Sequence, residues 1–339
     1  MKPVVFGMSG LALTADERAF FTDADPAGYI VFARNIESPA QLRVLTDELR
    51  SLHGRDRLMI LIDQEGGRVQ RMKPPVWPAY PAPGAFSALY HAAPISALEA
   101  ARVNAMALAL DLAEAGITVN CAPMIDVRQP GSNDTVIGDR AFGDDPMMVA
   151  ALGRATLDGL RQGGVLGIVK HMPGHGRALV DSHEKLPVVE ENAETLVESD
   201  LAPFVALNDT LMGMTGHIIF PAWDPDRPAT LSPLVIEQVI RDQIGFDGLL
   251  FSDDLDMKAL AGSVPDSAVA CIGAGCDIAL NCWGNMAHMT EIADRLPDLA
   301  GAAQARFDRV VAAMPPLNHI TDEREALIAK RDSLLALAS

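Results

Sequence analysis

Residues 170–176 read KHMPGHG and residues 181–183 read DSH, so a lysine, three histidines and an aspartate fall within fourteen positions around a Pro-Gly pair. One chemistry for such a cluster is metal binding. His171 and His175 have H-x₃-H spacing, and His183 or Asp253 would complete a site. That spacing persuades only on a helix, and Pro173-Gly174 breaks one. The other chemistry is proton transfer. Asp181 and His183 are two apart, within reach of one loop turn. A carboxylate beside an imidazole favours the imidazolium, which suits His183 to act first as acid and then as base. Asp253, in FSDDLDM, offers a carboxylate nucleophile, whereas Asp254 on the same extended segment is expected to face the other way in a structural role. Asp63, Arg71, Arg140 and Lys170 supply the paired acceptors and donors that a neutral polyol requires. His175 is read as a loop histidine bonded to backbone. His217, at the end of an apolar run, suits either core packing or a pocket wall.

Something must bring these distant residues together. Eight apolar runs of strand length punctuate the chain, at 3–8, 28–33, 58–63, 117–123, 165–171, 211–218, 248–254 and 276–282. They are continuous rather than alternating, as in parallel strands buried on both faces. Stretches 97–116 and 146–164 have helical apolar spacing and end in glycine. Eight strands with intervening helices predict an α/β fold, a single (β/α)₈ TIM-type barrel over residues 1–339. A doubly wound sheet is the competitor, but no G-x-G-x-x-G follows any strand. Residues 321–338 predict a closing C-terminal helix with Thr321 at its N-cap. Barrel sites form at the C-terminal ends of strands. Asp63, Lys170, His171 and Asp253 end apolar runs, and Asp126 follows another. The 174–191 stretch is longer than ordinary connections and suits a catalytic loop.

Composition excludes several classes. The chain is 49% hydrophobic, 21% charged and carries a formal charge of −18. Such acidity opposes binding to nucleic-acid phosphates. The apolar start, PVVFGMSGLALTA, is too short to span a bilayer and has only Lys2 before it, so neither a membrane segment nor a secretory signal is expected. Cys121, Cys271, Cys276 and Cys282 lack C-x-x-C spacing and are read as reduced thiols in or near the core.

DQEGGRVQR (63–71), GDRAFGDDP (138–146), KHMPGHG, DSH and FSDDLDM occur in this order across most of the chain. Together they resemble the β-N-acetylhexosaminidases of glycoside hydrolase family 3, in their short bacterial cytoplasmic (NagZ-like) form. The resemblance implies a single-domain barrel and a retaining mechanism that removes terminal β-linked N-acetylglucosamine (GlcNAc). Asp253 matches the nucleophile, His183 the acid/base and Asp181 its dyad partner. Asp63, Arg71, Arg140, Lys170 and His171 match sugar-binding positions. It implies no metal or organic cofactor. The substrate would be a muropeptide, GlcNAc linked to 1,6-anhydro-MurNAc, or another GlcNAc-terminated saccharide. No nucleic-acid or membrane partner is expected, and a cytoplasmic monomer is. Met172, Arg177, Asp256 and the LNCWGN segment (280–285) depart from the family pattern, which touches aglycone preference more than reaction type. A metal-dependent barrel hydrolase, a phosphorylase releasing sugar 1-phosphate and a sugar-binding module without turnover stay open as competing classes.

Overall fold

The computed structural model describes residues 1–178, 186–316 and 323–338. All eight apolar runs enter one parallel ring. Its strands are β1 (Lys2–Gly7), β2 (Pro26–Val31), β3 (Met59–Ile62), β4 (Val119–Asn120), β5 (Leu166–Gly167), β6 (Val169–Met172) and β7 (Met212–Thr215). After an antiparallel ribbon of β8 (Ile219–Phe220) and β9 (Asp224–Pro228), β10 (Leu249–Asp254) and β11 (Ile278–Asn281) complete it. The pairing order is β5-β4-β3-β2-β1-β11-β10-β7-β6. Its two terminal strands, β5 and β6, are separated by Ile168 alone. They are one interrupted barrel strand, so the sheet closes on itself as a (β/α)₈ barrel.

The lack of alternation in the strands has a direct cause, because both strand faces are buried. Along β1, β3 and β10, Val4, Phe6, Ile60, Ile62 and Leu250 pack outward against helices. Val5, Met59, Leu61, Leu249 and Phe251 belong to a second cluster that fills the ring. Phe307 and Val310 of the helix Gly301–Ala313 join this inner cluster. The Leu299 N–H donates to Met1 O at 2.9 Å, and Lys2 Nζ to Leu296 O at 2.8 Å, so the N-terminal mouth is stopped by the chain's own helix.

The helices expected at 97–116 and 146–164 run over Pro94–Glu114 and Pro146–Gln162. The second begins as its sequence dictates. Asp145 Oδ1 accepts from the N–H groups of Met147 and Met148, and Pro146 occupies the first turn, where its missing donor costs nothing. The closing helix spans Arg324–Leu335 and lies on Pro94–Glu114. Thr321, its expected cap, falls outside the described residues. Arg331 Nη1 donates to Asn104 Oδ1 at 3.1 Å, and its guanidinium carbon lies 5.9 Å from the Tyr80 ring centroid. All four cysteines are free and buried. Among the described residues, no helix is long and apolar enough to cross a membrane.

Candidate active site

The inward register of the strands builds the site. Leu61, Ile168 and Phe251 belong to the apolar filling of the ring. Two residues further on, the same face presents Asp63, Lys170 and Asp253. All three line one cavity of about 330 Å³ at the C-terminal end of the ring, with Ile30, Cys121, Met214 and Leu280 also in its wall. Arg71, Arg140 and His171 line it too. Six of the eight residues singled out from sequence therefore converge on one space. The other two, Asp181 and His183, lie outside the described residues.

The turn after β3 shows why DQEGGRVQR has its composition. Gly66 has φ +105°, and a Cβ there would sit 2.2 Å from Pro81 O, so the chain reverses only with glycine. Gln64 braces the two ends of the turn. Its Oε1 accepts from Arg71 N at 2.7 Å and Met72 N at 3.1 Å, while Asn120 bonds both Gln64 N and Gln64 O. Asp63 and Glu65 thereby face Lys170 together, at 3.0 and 2.7 Å from its Nζ. Arg71 Nη2 reaches Asp63 Oδ2 at 3.2 Å. Arg140 grips Glu65 with both arms, Nε to Oε2 at 2.9 Å and Nη2 to Oε1 at 2.8 Å.

Three cations thus neutralise two carboxylates in a largely dry wall. Burial alone would raise the Glu65 carboxyl, but Arg140 and Lys170 outweigh it and hold it well below the usual range. Asp63 is lowered likewise, against burial, by Lys170 and Arg71. Lys170 is disfavoured as a cation by burial, yet Asp63 and Glu65 hold its pKa above the ordinary value. The result is a fixed array of charged donors and acceptors.

A second cluster lies beside it. Asp126 Oδ2 accepts from His171 Nδ1 at 2.8 Å, and Asp126 Oδ1 from the N–H groups of His171 and His175 at 3.2 and 2.6 Å. Nδ1 is therefore fixed as a donor, and Nε2 is the atom that His171 can present to the cavity. Burial, reinforced by His171, lowers the His175 pKa to about 4, so this ring is neutral near pH 7. Among the described residues, no group of three or more His, Cys, Asp or Glu side chains is arranged to hold a metal ion.

On the opposite wall, Asp253 Oδ1 accepts from Asp254 N at 2.8 Å. Burial would raise the Asp253 carboxyl, but His171, His217, this backbone bond and Lys170 hold it below the usual range. It is an ionised carboxylate facing an enclosed space. His217 stands behind it, bonded through Nε2 to Asp254 O at 2.9 Å and through Nδ1 to Thr230 Oγ1 at 2.8 Å. Its ring is fully buried behind the cavity, which favours the core-packing reading of this residue. Asp254 departs from expectation, because it too reaches the cavity. Burial and the neighbouring Asp256 raise its carboxyl.

The glycosyl hydrolase family 3 N terminal domain matches residues 4–314. The chain belongs to glycoside hydrolase family 3. Among family 3 relatives, a β-hexosaminidase of Alkalilimnicola ehrlichii is 38% identical over 334 residues, covering 96% of this chain and 94% of that one. A β-hexosaminidase of Aromatoleum aromaticum is 37% identical, covering 90% and 86%. The structure of NagZ from Neisseria gonorrhoeae in complex with N-trifluoroacetyl-D-glucosamine superposes with a TM-score of 0.87 at 31% identity, over 100% of this chain and 98% of that one.

Sequence reasoning missed the weight of Glu65 and of Asp126. Glu65 lies three residues beyond the end of β3, where alternation past a strand is not legible, although a Glu followed by Gly-Gly was a signal. Asp126 follows β4, which has only two paired residues and so no visible end. Two departures from the family pattern have physical explanations. Met172 is fully buried and would lie within 3 Å of a Cβ at Gly213, so a flexible thioether fills a tight gap. Arg177 ties the start of the long loop to Asp200 at 2.8 Å and to Glu191, near the loop's end, at 3.5 Å.

Proposed function

We propose that this β-N-acetylhexosaminidase removes terminal β-linked GlcNAc from saccharides, with retention at the anomeric carbon. Asp63, Arg71, Arg140, Lys170 and His171 hold the sugar hydroxyls. Asp253 attacks C1 and forms a glycosyl ester while the glycosidic oxygen departs with a proton from His183, whose cationic form Asp181 favours. Neutral His183 then takes a proton from water, which attacks C1 and frees Asp253. This is the two-step retaining scheme with an imidazole in place of one carboxylate. The substrate in this reading is GlcNAc-1,6-anhydro-MurNAc with or without peptide, a product of peptidoglycan breakdown. The enzyme would work as a monomeric single domain in the cytoplasm, with neither metal nor organic cofactor.

One observation carries the reading. An ionised Asp253 and an array of paired charged hydroxyl-binding groups share one cavity, closed below by apolar side chains. A blind cavity of this size admits one terminal sugar, which supports exo action. The similarity to β-hexosaminidases, and to a NagZ bound to a glucosamine derivative, supports the choice of hexosamine.

The test is trapping. An activated 2-deoxy-2-fluoro glycoside should add one glycosyl mass to the enzyme, and peptide mapping should place it on Asp253. Asp253→Ala should lower kcat by at least about 10³-fold. EDTA should leave wild-type rates unchanged, and assay in phosphate buffer should yield free GlcNAc. Label on another residue would remove the nucleophile assignment, and sugar 1-phosphate would move the enzyme to the phosphorylase class.

A further inference from the structure

We propose that Trp283 is the platform for the leaving sugar ring, held at the cavity mouth by Asp256. This deepens the hexosaminidase reading and rests on it.

The ring topology gives the direction in which the substrate must run. Asp63 directly follows β3 and Asp253 lies in the last two residues of β10, and these strands lie four places apart whichever way the eight-membered ring is followed. Asp63 and the nucleophile therefore occupy opposite walls, with Lys170 and His171 of β6 on the wall between them. A terminal sugar whose hydroxyls engage Asp63, Lys170 and Arg140 has its anomeric carbon at the far wall, over Asp253. The remainder of the substrate continues past that carbon. With the floor closed, it leaves over the rim formed by the loops after β10, β11 and β1.

Trp283 stands in that sector. It directly follows Cys282, which lines the cavity, at the end of the strand beside β10. The residue is 64% exposed. A lone exposed apolar residue means little by itself. What distinguishes this one is the construction beneath it. The Asp256 carboxylate is nearly buried and uses a single oxygen, Oδ2, to accept from Asn281 Nδ2 at 2.7 Å, Cys282 N at 2.9 Å and Trp283 N at 3.3 Å. The next residue, Gly284, has φ +66°, and a Cβ there would lie 2.9 Å from the Met8 backbone. The backbone bearing Trp283 is thus pinned from two sides while its indole is left uncovered. Asp256 and the LNCWGN segment both depart from the family pattern, and here they are bonded to each other.

The indole matches a pyranose chemically. One face of a β-linked sugar ring presents axial C–H groups, an apolar surface that an aromatic face can cover without any charge. An aromatic contact of this kind is worth about three- to tenfold in affinity.

Two substrates separate the outcomes. Methyl β-GlcNAc has an aglycone too small to reach Trp283, whereas N,N′-diacetylchitobiose carries a full ring. Trp283→Ala should raise KM for the disaccharide about three- to tenfold, with kinetics on the methyl glycoside unchanged, and Trp283→Phe should restore most of the loss. In the Asp253→Ala background, the disaccharide but not free GlcNAc should shield tryptophan fluorescence from acrylamide, and Trp283→Ala should abolish that protection. Equal losses on both substrates, or none on the disaccharide, would overturn the proposal. A wild-type enzyme that cleaves neither substrate would overturn the hexosaminidase reading as well.

Discussion

Glu65 is held between Arg140 and Lys170 at 2.8 and 2.7 Å, with almost none of its side chain exposed. Glu65→Gln would deprive Arg140 of its carboxylate partner and leave Lys170 with Asp63 alone. Breaking a buried pair in this way costs about 3–5 kcal/mol, which chemical denaturation at pH 7 would read. The pH dependence follows from the direction of the shift. The folded pKa is depressed, so the contribution of Glu65 is fully present above its unfolded value of about 4.3 and is lost as pH falls through the folded value. Wild type and variant should therefore differ most above about pH 5 and converge in acid, and a constant difference down to pH 2 would contradict this assignment. At this scale the sequence is partly legible. Asp63, Lys170 and Asp253 could be read because they end apolar runs, and strand ends point to the mouth of a barrel. Glu65 could not, and Asp126 could be placed after a run but given no partners, because their directions depend on a turn and on a two-residue strand that no periodicity reports.

Among elements, the turn after β3 shows how a loop can be as determinate as a strand. Gly66 and Gly67 allow the reversal, Gln64 ties its ends, and Tyr80 O accepts from Gly67 N at 2.8 Å. Gly66→Ala must displace either the turn or Pro81. A cost above about 1 kcal/mol is expected, together with a raised KM, since Glu65 and Arg71 ride on this segment. Gly54→Ala is the control. Gly54 also has positive φ, at the end of the helix Pro39–His53, but a Cβ there meets nothing within 4 Å. It should lose stability without a change in KM; kinetics and thermal melts of both variants would separate these cases. The ring strands were legible because burial on both faces makes them uniformly apolar. The β8–β9 ribbon was not, because DPDRP carries two prolines and two charged residues between them and reads as a loop. The π-helical segment Val235–Gln243 was likewise unassigned, since its wider turns depart from the 3.6-residue period by which apolar spacing is read.

For the whole molecule, the closing helix links the far end of the chain to the site. Arg331 bonds Asn104 and covers the Tyr80 ring, while Tyr80 OH donates to Asp111 Oδ2 at 2.5 Å. Arg331→Ala should cost about 1–3 kcal/mol, from a lost charged hydrogen bond and a cation–π contact. Differential scanning calorimetry should show Tm lower by a few degrees, with kcat/KM at 25 °C preserved, because the folded state itself is retained. The barrel was legible from the number and spacing of its strands, whereas the pairing that closes it depends on one strand being interrupted at Ile168.

That interruption has a further consequence. Because β5 and β6 belong to one segment and each finds a different neighbour, every ring strand is flanked on both sides, and the barrel offers no open margin of N–H and C=O groups to a second chain. Any self-association has to use helix surfaces, loops or the separate β8–β9 ribbon. Nor can a strand peel away at a border, so loss of the barrel must begin with the rupture of an interior seam.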